Sequence, residues 1–203
     1  MILAIETAYA ACSVALTDGV AVSVNRHEEI GRGHAERLIS MIAEVLADAG
    51  GVTPTSILID VGPGSFTGVR IGLAAARAFG FAWRCAVNGV PSDALIARAV
   101  FAHVDAPDNL LVVLDALRGE LFVREWTRSG PLGLARAVTP EVAIAQARTI
   151  GAVAGNGLRS LNDLPPWTMF LNPSAAAVVH LSPDDRTAPA PLYIRAPDAK
   201  PNG

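Results

Sequence analysis

The stretch Gly62-Pro-Gly-Ser-Phe-Thr-Gly-Val-Arg70 joins two patterns of different kind. The residues before it, 57–61, form a short apolar run that is typical of a buried strand. The residues after it, from about 67 to 82, are apolar nearly all round and predict a buried helix. A strand that turns through glycine into a helix indicates an α/β fold.

The same loop has two physical interpretations. Its backbone N–H groups and the positive end of the helix dipole can bind an anion, with Ser65 or Thr67 as helix cap. Alternatively, the loop only turns the chain sharply and docks the helix. The spacing slightly favours this second interpretation. A Walker A loop is excluded, because no Gly-Lys-Ser/Thr follows. The candidate loop residues are Gly62, Pro63, Gly64, Ser65, Phe66, Thr67, Gly68 and Arg70.

Upstream of the loop, the pattern predicts three consecutive antiparallel strands and then a helix. The strands are predicted at residues 2–6, 12–17 and 20–24, with Asp18-Gly19 as a hairpin turn. A polar stretch, 26–33, precedes a helix whose apolar positions follow the helical period up to Gly50.

Downstream, a similar order of elements returns in weaker form after a linker at residues 103–109. Before the linker, a strand is predicted at 84–87 and a short helix at 91–101. After it, strands are predicted at 110–114, 121–126, 134–138 and 152–154, and helices at 140–148 with Thr139 as N-cap and weakly at 175–181, before a frayed tail at 196–203. The repeated order predicts two similar α/β lobes, residues 1–102 and a smaller 103–203, rather than one doubly wound sheet.

Both helices of the first lobe contain candidate interface residues. A two-faced first helix and an apolar second helix with small residues four apart would leave apolar surface exposed, which marks a protein interface. The alternative is that the second helix is sandwiched inside the lobe. The candidates are Leu38, Ile42, Val45, Arg70, Gly72, Ala74, Ala76, Arg77 and Gly80. We expect the first three to be partly core and partly interface.

Three polar residues are candidates for chemistry. Glu6 ends the first strand, and Asp115 holds the matching place in the second lobe. Each could orient a bound nucleotide; the alternatives are a half-exposed acid at a strand end and a type I turn through residues 115–118. His34 opens the first helix, but Leu38 stands where a second metal ligand would be needed, which favours a cap or a solvated side chain. The spacings contain no convincing catalytic set.

Composition excludes several classes of function. The 203 residues are 51% hydrophobic and 17% charged, enough apolar content for a sizeable core. The net charge of −3 disfavours autonomous binding of nucleic acid. Cys12 and Cys85 match neither a zinc site nor a disulfide scaffold. The N-terminus does not resemble a signal peptide, and the longest apolar helix is too short to cross a bilayer, so we expect a cytoplasmic protein without membrane contact.

Several segments together resemble the TsaB (YeaZ) family. They are Met1-Ile-Leu-Ala-Ile-Glu-Thr-Ala, Ala11-Cys-Ser-Val-Ala-Leu, Gly62-Pro-Gly-Ser-Phe-Thr-Gly-Val-Arg-Ile-Gly, Leu114-Asp-Ala-Leu-Arg-Gly-Glu-Leu-Phe and Pro191-Leu-Tyr-Ile-Arg. The resemblance spans nearly the whole chain, is strongest before Val90 and is patchy from 129 to 189. It implies two actin-like (ribonuclease H-like) lobes of the ASKHA class, with mixed sheets flanked by helices and a trimmed second lobe.

The resemblance also implies a function. Members act in making threonylcarbamoyladenosine beside the anticodon of tRNAs, as non-catalytic scaffolds that dimerise with the transferase TsaD and join the ATPase TsaE. It implies tRNA contact only through the complex, a possible homodimer, no cofactor bound by this chain alone, and ATP and a divalent metal in the complex. The less favoured alternatives are a stand-alone small ASKHA ATPase or kinase, and a glycoprotease-like peptidase.

The nucleotide positions of the ASKHA class are degenerate in this sequence. The first strand ends in Glu6-Thr7 instead of the family's usual Asp-Thr. The next residues, 8–10, lack the glycine of a phosphate turn. Gly155 and Asn156 resemble a remnant of the adenosine motif, and a turn explains them equally well.

Overall fold

The computed structural model describes residues 1–116 and 119–194. The predicted turn through Arg118, Arg195 of the C-terminal segment and the predicted frayed tail lie outside the described residues. The described part is an α/β structure built on two five-stranded mixed sheets.

The first sheet combines an antiparallel and a parallel half. β1 pairs antiparallel with β2 and parallel with β4, and the order across the sheet is β3-β2-β1-β4-β5. The strands are β1 (Ile2–Glu6), β2 (Ala11–Thr17), β3 (Val22–Glu29), β4 (Ser56–Asp60) and β5 (Ala86–Val90). The three predicted N-terminal strands are therefore confirmed.

β3 corrects one prediction. Residues 26–29, predicted as a polar stretch outside the sheet, continue β3 as an edge strand whose residues alternate between half-buried and exposed. Their charges did not prevent a strand because the exposed edge lets them pair with the neighbouring helix: Glu28 with Arg37, and Arg26 with Asp48. Charged side chains on an edge also oppose pairing with another strand.

Two helices cover one face of the first sheet. They are α1 (His34–Asp48) and α2 (Phe66–Trp83), and α2 begins and ends one residue beyond its predicted bounds. Both pack on β1, β2 and β4 through one apolar cluster that contains Leu3, Ile5 and Ile59. The apolar periodicity of the two sequences thus places them as expected on the sheet.

The second sheet repeats the topology of the first. Its order, β10-β9-β6-β7-β8, matches that of β5-β4-β1-β2-β3. The strands are β6 (Asn109–Asp115), β7 (Leu121–Thr127), β8 (Gly130–Val138), β9 (Ala152–Ala154) and β10 (Trp167–Met169). The short β10 was not predicted, because three residues carry too little periodicity to recognise.

The second sheet has a thinner helical cover than the first. α4 (Pro140–Ile150) occupies the place of α1, and a four-residue 3₁₀ helix, Gly157–Ser160, stands where the first lobe has α2. Thr139 is the N-cap residue of α4, but its side chain makes no capping hydrogen bond to the helix backbone. Its hydroxyl instead hydrogen-bonds the Glu141 carboxylate, which lowers the pKa of Glu141.

A third layer lies between the two sheets. It is formed by α3 (Ser92–Phe101) and a 3₁₀ helix, Ala175–His180, which replaces the predicted weak α-helix. These elements share one apolar cluster with side chains of both sheets. The predicted boundary between residues 102 and 103 stays a prediction.

The end of the described chain returns to the first sheet. Thr187 pairs with Gly89 of β5, and the Leu192 N–H donates to the Val61 carbonyl oxygen at 2.8 Å. Within the described residues, no helix is long and apolar enough to cross a membrane.

Candidate functional site

The loop Gly62–Arg70, here called the signature loop, leaves β4 and leads into α2. Gly62 has φ +94°, a left-handed conformation that favours glycine, and its N–H donates to Asp60 Oδ1 at 2.8 Å. Of the two predicted helix caps the structure selects Ser65, whose Oγ accepts from the Gly68 N–H at 3.2 Å. Thr67 lies inside the first turn of α2 and is exposed.

The signature loop is interlocked with the β1–β2 loop, residues 7–10. The Ser65 N–H donates to the Ala8 carbonyl oxygen at 2.7 Å, and Thr7 Oγ1 donates to the Gly68 carbonyl oxygen at 2.9 Å. Tyr9 closes the contact by donating its hydroxyl to the Pro63 carbonyl oxygen at 2.7 Å.

Two glycines make this close approach possible. A Cβ on Gly64 would lie 2.6 Å from the Ala8 carbonyl oxygen, and one on Gly68 would overlap the Thr7 carbonyl oxygen. These contacts support the docking interpretation of the loop. Anion binding by the loop stays a prediction; the N–H groups of Ser65 and Gly68 are already taken by protein acceptors.

Beneath the two loops lie two buried carboxylates, Glu6 and Asp60. Glu6 is fully buried rather than half-exposed at the strand end, so the sequence-based alternative is wrong. Its Oε1 accepts from the Ala8 N–H at 2.7 Å. Burial, followed by the neighbouring Asp60 charge, raises the pKa of Glu6 well above its usual range. Burial likewise raises the pKa of Asp60 to about 7, against the opposing hydrogen bonds from Ser92 and Gly62.

A third buried carboxylate, Asp93, opens α3. It accepts from Trp126 Nε1 at 2.9 Å and lies 3.3 Å from the Arg124 guanidinium. Burial raises its pKa although the guanidinium acts in the opposite direction. The sequence reasoning missed both Asp60 and Asp93. The only available signal was a charged residue inside an otherwise apolar strand or helix start, which does not indicate burial by itself.

A cavity of about 640 Å³ opens between the two lobes above the loops. Its volume lies within the range of small-molecule sites. Asp115 and Asn156 line it together with the signature-loop residues Ser65, Thr67 and Gly68. The Asp115 N–H donates to Asn156 Oδ1 at 2.9 Å, so the structure brings these two predicted positions together.

Other predicted cleft positions do not line the cavity. Glu6 and Thr7 are fully buried, and Gly155 packs against the Val113 carbonyl oxygen. His34 does line the cavity, but it is neither a cap nor a solvated side chain, because it is only 8% exposed and its Nε2 lies 3.0 Å from the Ala11 carbonyl oxygen. Within residues 1–116 and 119–194, no group of three or more His, Cys, Asp or Glu is placed to hold a metal ion.

The structure divides the predicted interface residues into two groups. Those in the chain's own core are Leu38, Ile42, Val45, Gly72, Ala76 and Gly80. Leu38, Ile42 and Val45 are at most 1% exposed, and the small-residue stripe of α2 packs on the sheet, where a Cβ on Gly72 would lie 2.7 Å from Ile59 Cδ1. Because the chain itself covers these six positions, the interface prediction is wrong for them: the three α1 side chains form the core face of that helix, and the small residues of α2 let that helix approach the sheet closely.

The remaining predicted interface residues lie on the outer side of α2. Arg70, Ala74 and Arg77 are exposed. Both helices also have exposed apolar residues, of which Ile39 and Phe81 have exposed fractions of 51% and 89%. We call Ile39, Ala43, Ala74, Ala78 and Phe81 the helix-pair face.

The C-terminal segment borders this surface. Tyr193 stacks on Phe66 with ring centroids 5.7 Å apart, and its hydroxyl accepts from Arg70 Nε at 3.1 Å. The Arg70 guanidinium also lies 3.6 Å from the centre of the Phe66 ring. Arg77 donates to the Pro189 carbonyl oxygen at 2.8 Å. Two of the segments that carried the sequence resemblance, those beginning at Gly62 and Pro191, therefore meet in space.

The repeated five-stranded topology and the cleft between the sheets define a two-lobed protein of the ribonuclease H-like, actin-like class. Residues 21–161 match the family model described as "TsaD: tRNA N6-adenosine threonylcarbamoyltransferase". The chain belongs to the family that this model describes, and it is similar to the proteins called TsaB or YeaZ.

Individual relatives agree with this assignment. An uncharacterized Mycobacterium tuberculosis protein is 35% identical over 98% of this chain and 94% of its own length. Escherichia coli "tRNA threonylcarbamoyladenosine biosynthesis protein TsaB" is 37% identical over 63% of this chain, an alignment that spans only 55% of that relative. The structure called "YeaZ from Pseudomonas aeruginosa" superimposes with a TM-score of 0.78 at 25% identity, covering 95% of this chain and 98% of that one.

Proposed function

We propose that this chain is a non-catalytic scaffold subunit required for threonylcarbamoyl transfer to the adenosine beside the anticodon of tRNAs. In this proposal it dimerises with TsaD, recruits the ATPase TsaE and meets tRNA only through the complex. The names of the Escherichia coli and Haemophilus influenzae relatives support a part in threonylcarbamoyladenosine biosynthesis.

The observation that carries the scaffold proposal is the helix-pair face. Phe81 and Ile39 are large apolar side chains that a monomer leaves in water, and the exposed alanines on the two helices leave the helix backbones accessible to close packing. Burying such a surface against a partner is favourable in proportion to its apolar area. Arg70 and Arg77 are exposed on the same helix, α2, as Ala74 and Phe81, and arginine is enriched at protein interfaces.

The proposed occupant of this face is the corresponding helix pair of TsaD. The TsaD family model covers residues 21–161, a range that contains both α1 and α2. A partner built on the same model would present a matching pair of helices, and two such pairs pack as a four-helix bundle. A second copy of this chain is the alternative occupant of the same face.

A binding experiment with matched variants tests the face. Phe81→Asp and Ala74→Glu each place a charge in the proposed buried centre, and we expect each to weaken TsaD binding at least about 100-fold in isothermal titration calorimetry. Leu134→Asp is the matched control, because Leu134 is 83% exposed on β8, in the other lobe. Unchanged TsaD affinity in folded Phe81→Asp and Ala74→Glu would refute the face as the docking site. Sedimentation of the chain alone tests the homodimer.

Reconstitution tests the function itself. Unmodified tRNA, TsaD, TsaE, ATP and the enzyme that makes threonylcarbamoyl-adenylate are combined with and without this chain. We expect modified adenosine only when the chain is present, and none from the chain alone. Equal modification without the chain would contradict the proposed requirement.

The cavity between the lobes favours a second candidate function, a stand-alone ATPase or kinase. Its volume of about 640 Å³ suits a nucleotide. Glu6, however, is fully buried, does not line the cavity and already accepts a hydrogen bond from the Ala8 N–H. We expect no rise in Tm with millimolar ATP and Mg²⁺, whereas a ligand that binds the native state would raise it.

A further inference from the structure

Glu6 and Asp60 are lateral neighbours on adjacent parallel strands. β1 and β4 pair in register up to Ile5 and Ile59, so that the next residue of each strand, Glu6 and Asp60, follows side by side. Alternate residues of a strand share a face, and residues 4 and 58 on this face belong to the core between the sheets. Both carboxyl groups therefore enter the same buried layer, at 0% and 2% exposure.

Each carboxyl group accepts a hydrogen bond from the backbone of one loop, and its second oxygen has no hydrogen-bond partner. Glu6 Oε1 accepts from the Ala8 N–H in the β1–β2 loop, and Asp60 Oδ1 accepts from the Gly62 N–H in the signature loop. Ser92 Oγ also donates to Asp60 Oδ1, at 2.7 Å. Glu6 Oε2 and Asp60 Oδ2 are buried and have no hydrogen-bond partner. An ionised oxygen in that situation is strongly unfavourable.

Among residues 1–116 and 119–194, the titratable groups that act on this pair supply no compensating positive charge. Asp93 on α3 and Glu29 on β3 are acidic, and the neutral titratable groups are Tyr9 in the β1–β2 loop and Cys12 on β2. The neighbouring cation, Arg124, is directed to Asp93. Within the described residues, neither Glu6 nor Asp60 takes part in an ion pair.

We propose that the Glu6–Asp60 pair carries at least one proton in the folded protein, and that this protonation keeps the β1–β2 loop locked onto the signature loop. When protonated, the pair carries at most one negative charge instead of two. Full deprotonation leaves two adjacent buried carboxylates, whose repulsion is relieved when the loops tied to them move apart. Because both loops line the cavity, the pair makes the closure of the cavity sensitive to pH.

The direction of the pH dependence is set by the raised pKa values. Unfolded Asp and Glu titrate at about 4. Burial raises the pKa of Asp60 to about 7 in the folded chain, and that of Glu6 well above its usual range. The folded state therefore binds more protons than the unfolded state above pH ~4, and the pair loses stability as pH rises from there through about 7.

Thermal unfolding of the full chain from pH 4 to 9 tests the proposal. Glu6→Gln removes the second charge at every pH, so we expect its Tm to exceed that of the wild type by about 5 °C at pH 8.5 and to differ little at pH 4. Asp60→Asn should reduce the pH dependence in the same way. Glu28→Gln is the matched control, because Arg37 lowers the pKa of Glu28; its Tm relative to wild type should fall, not rise, with pH.

Two direct readouts keep the proposal falsifiable if a variant fails to fold. Carboxyl ¹³C NMR of the wild type should show at least one of the two carboxyl groups protonated at pH 6.5. Hydrogen exchange of peptides covering residues 5–14 and 60–72 should accelerate at least about tenfold between pH 6 and 8.5, after correction for intrinsic exchange. Two carboxylates ionised at pH 6.5, or exchange that follows only the intrinsic rate, would overturn the proposal.

Discussion

The two lobes have the same strand order but differ in the elements that come after the central parallel strand. After β4 the first lobe has the signature loop and the 18-residue α2. After β9 the second lobe has Gly155, Asn156 and a 3₁₀ helix of four residues. The same sheet topology is therefore compatible with covering helices of very different length. Among the described residues, only the first lobe has a pair of long helices side by side, and the helix-pair face is on that pair.

The acidic residues that end β1 and β6, the matching strands of the two lobes, also differ in their surroundings. Glu6 at the end of β1 is buried and bonded to its own loop, whereas Asp115 at the end of β6 is partly exposed and lines the cavity. Equivalent positions in the two lobes therefore make different contacts. Glu6 organises the interlocked loops, and Asp115 contributes a polar group to the cavity wall.

The largest effect expected from breaking the first lobe's loop contact is at Gly68. Gly68→Ala should destabilise the chain by about 3 kcal/mol, because the new Cβ would overlap the Thr7 carbonyl oxygen. Helix propensity alone predicts the opposite, an increase in stability of about 1 kcal/mol. Urea denaturation distinguishes the two. As a control on the exposed side of α2, Ala78→Gly should cost only about 1 kcal/mol. A stabilised Gly68→Ala variant would show that the loops are not in close contact.

A pair of tyrosines compares the interlocked loops with the surface cluster. Tyr9→Phe removes the bond to the Pro63 carbonyl oxygen and should cost about 1.5 kcal/mol, since the group is largely buried. Tyr193→Phe removes the bond from Arg70 at an exposed site and should cost under about 0.5 kcal/mol. Both are measured by urea denaturation. Equal costs would mean that the two contacts contribute similarly to stability.

The smallest expected difference is between the helix caps of the two lobes. Ser65→Ala removes the side-chain acceptor of the Gly68 N–H and should cost about 1 kcal/mol. Thr139→Ala should cost less than about 0.5 kcal/mol, because Thr139 makes no capping bond to α4. Thermal unfolding of both variants is sufficient to compare them. A larger loss of stability in Thr139→Ala than in Ser65→Ala would contradict this expectation.

Elements with strong local patterns could be predicted from sequence. α1, α2 and the first two strands follow apolar periodicity, and Gly62, Gly64 and Gly68 indicate a tight turn. Elements whose stability comes from their neighbours could not be predicted. β10 has three residues, and residues 26–29 of β3 are polar and charged, so tertiary pairing decided both. The same holds for the candidate site, because a charged residue in an apolar run does not show which face it occupies.

The sequence by itself determined the class of fold, the repeat of the two lobes and the loop that identifies the family, because these depend on local periodicity and on glycine's conformational freedom. Only the tertiary structure decided which side of α2 is covered. The small-residue stripe that suggested an interface packs on the chain's own sheet, and Phe81, at the other side, stays in water. It also placed Glu6 beside Asp60, since the register of strands distant in sequence depends on the packing of the whole sheet.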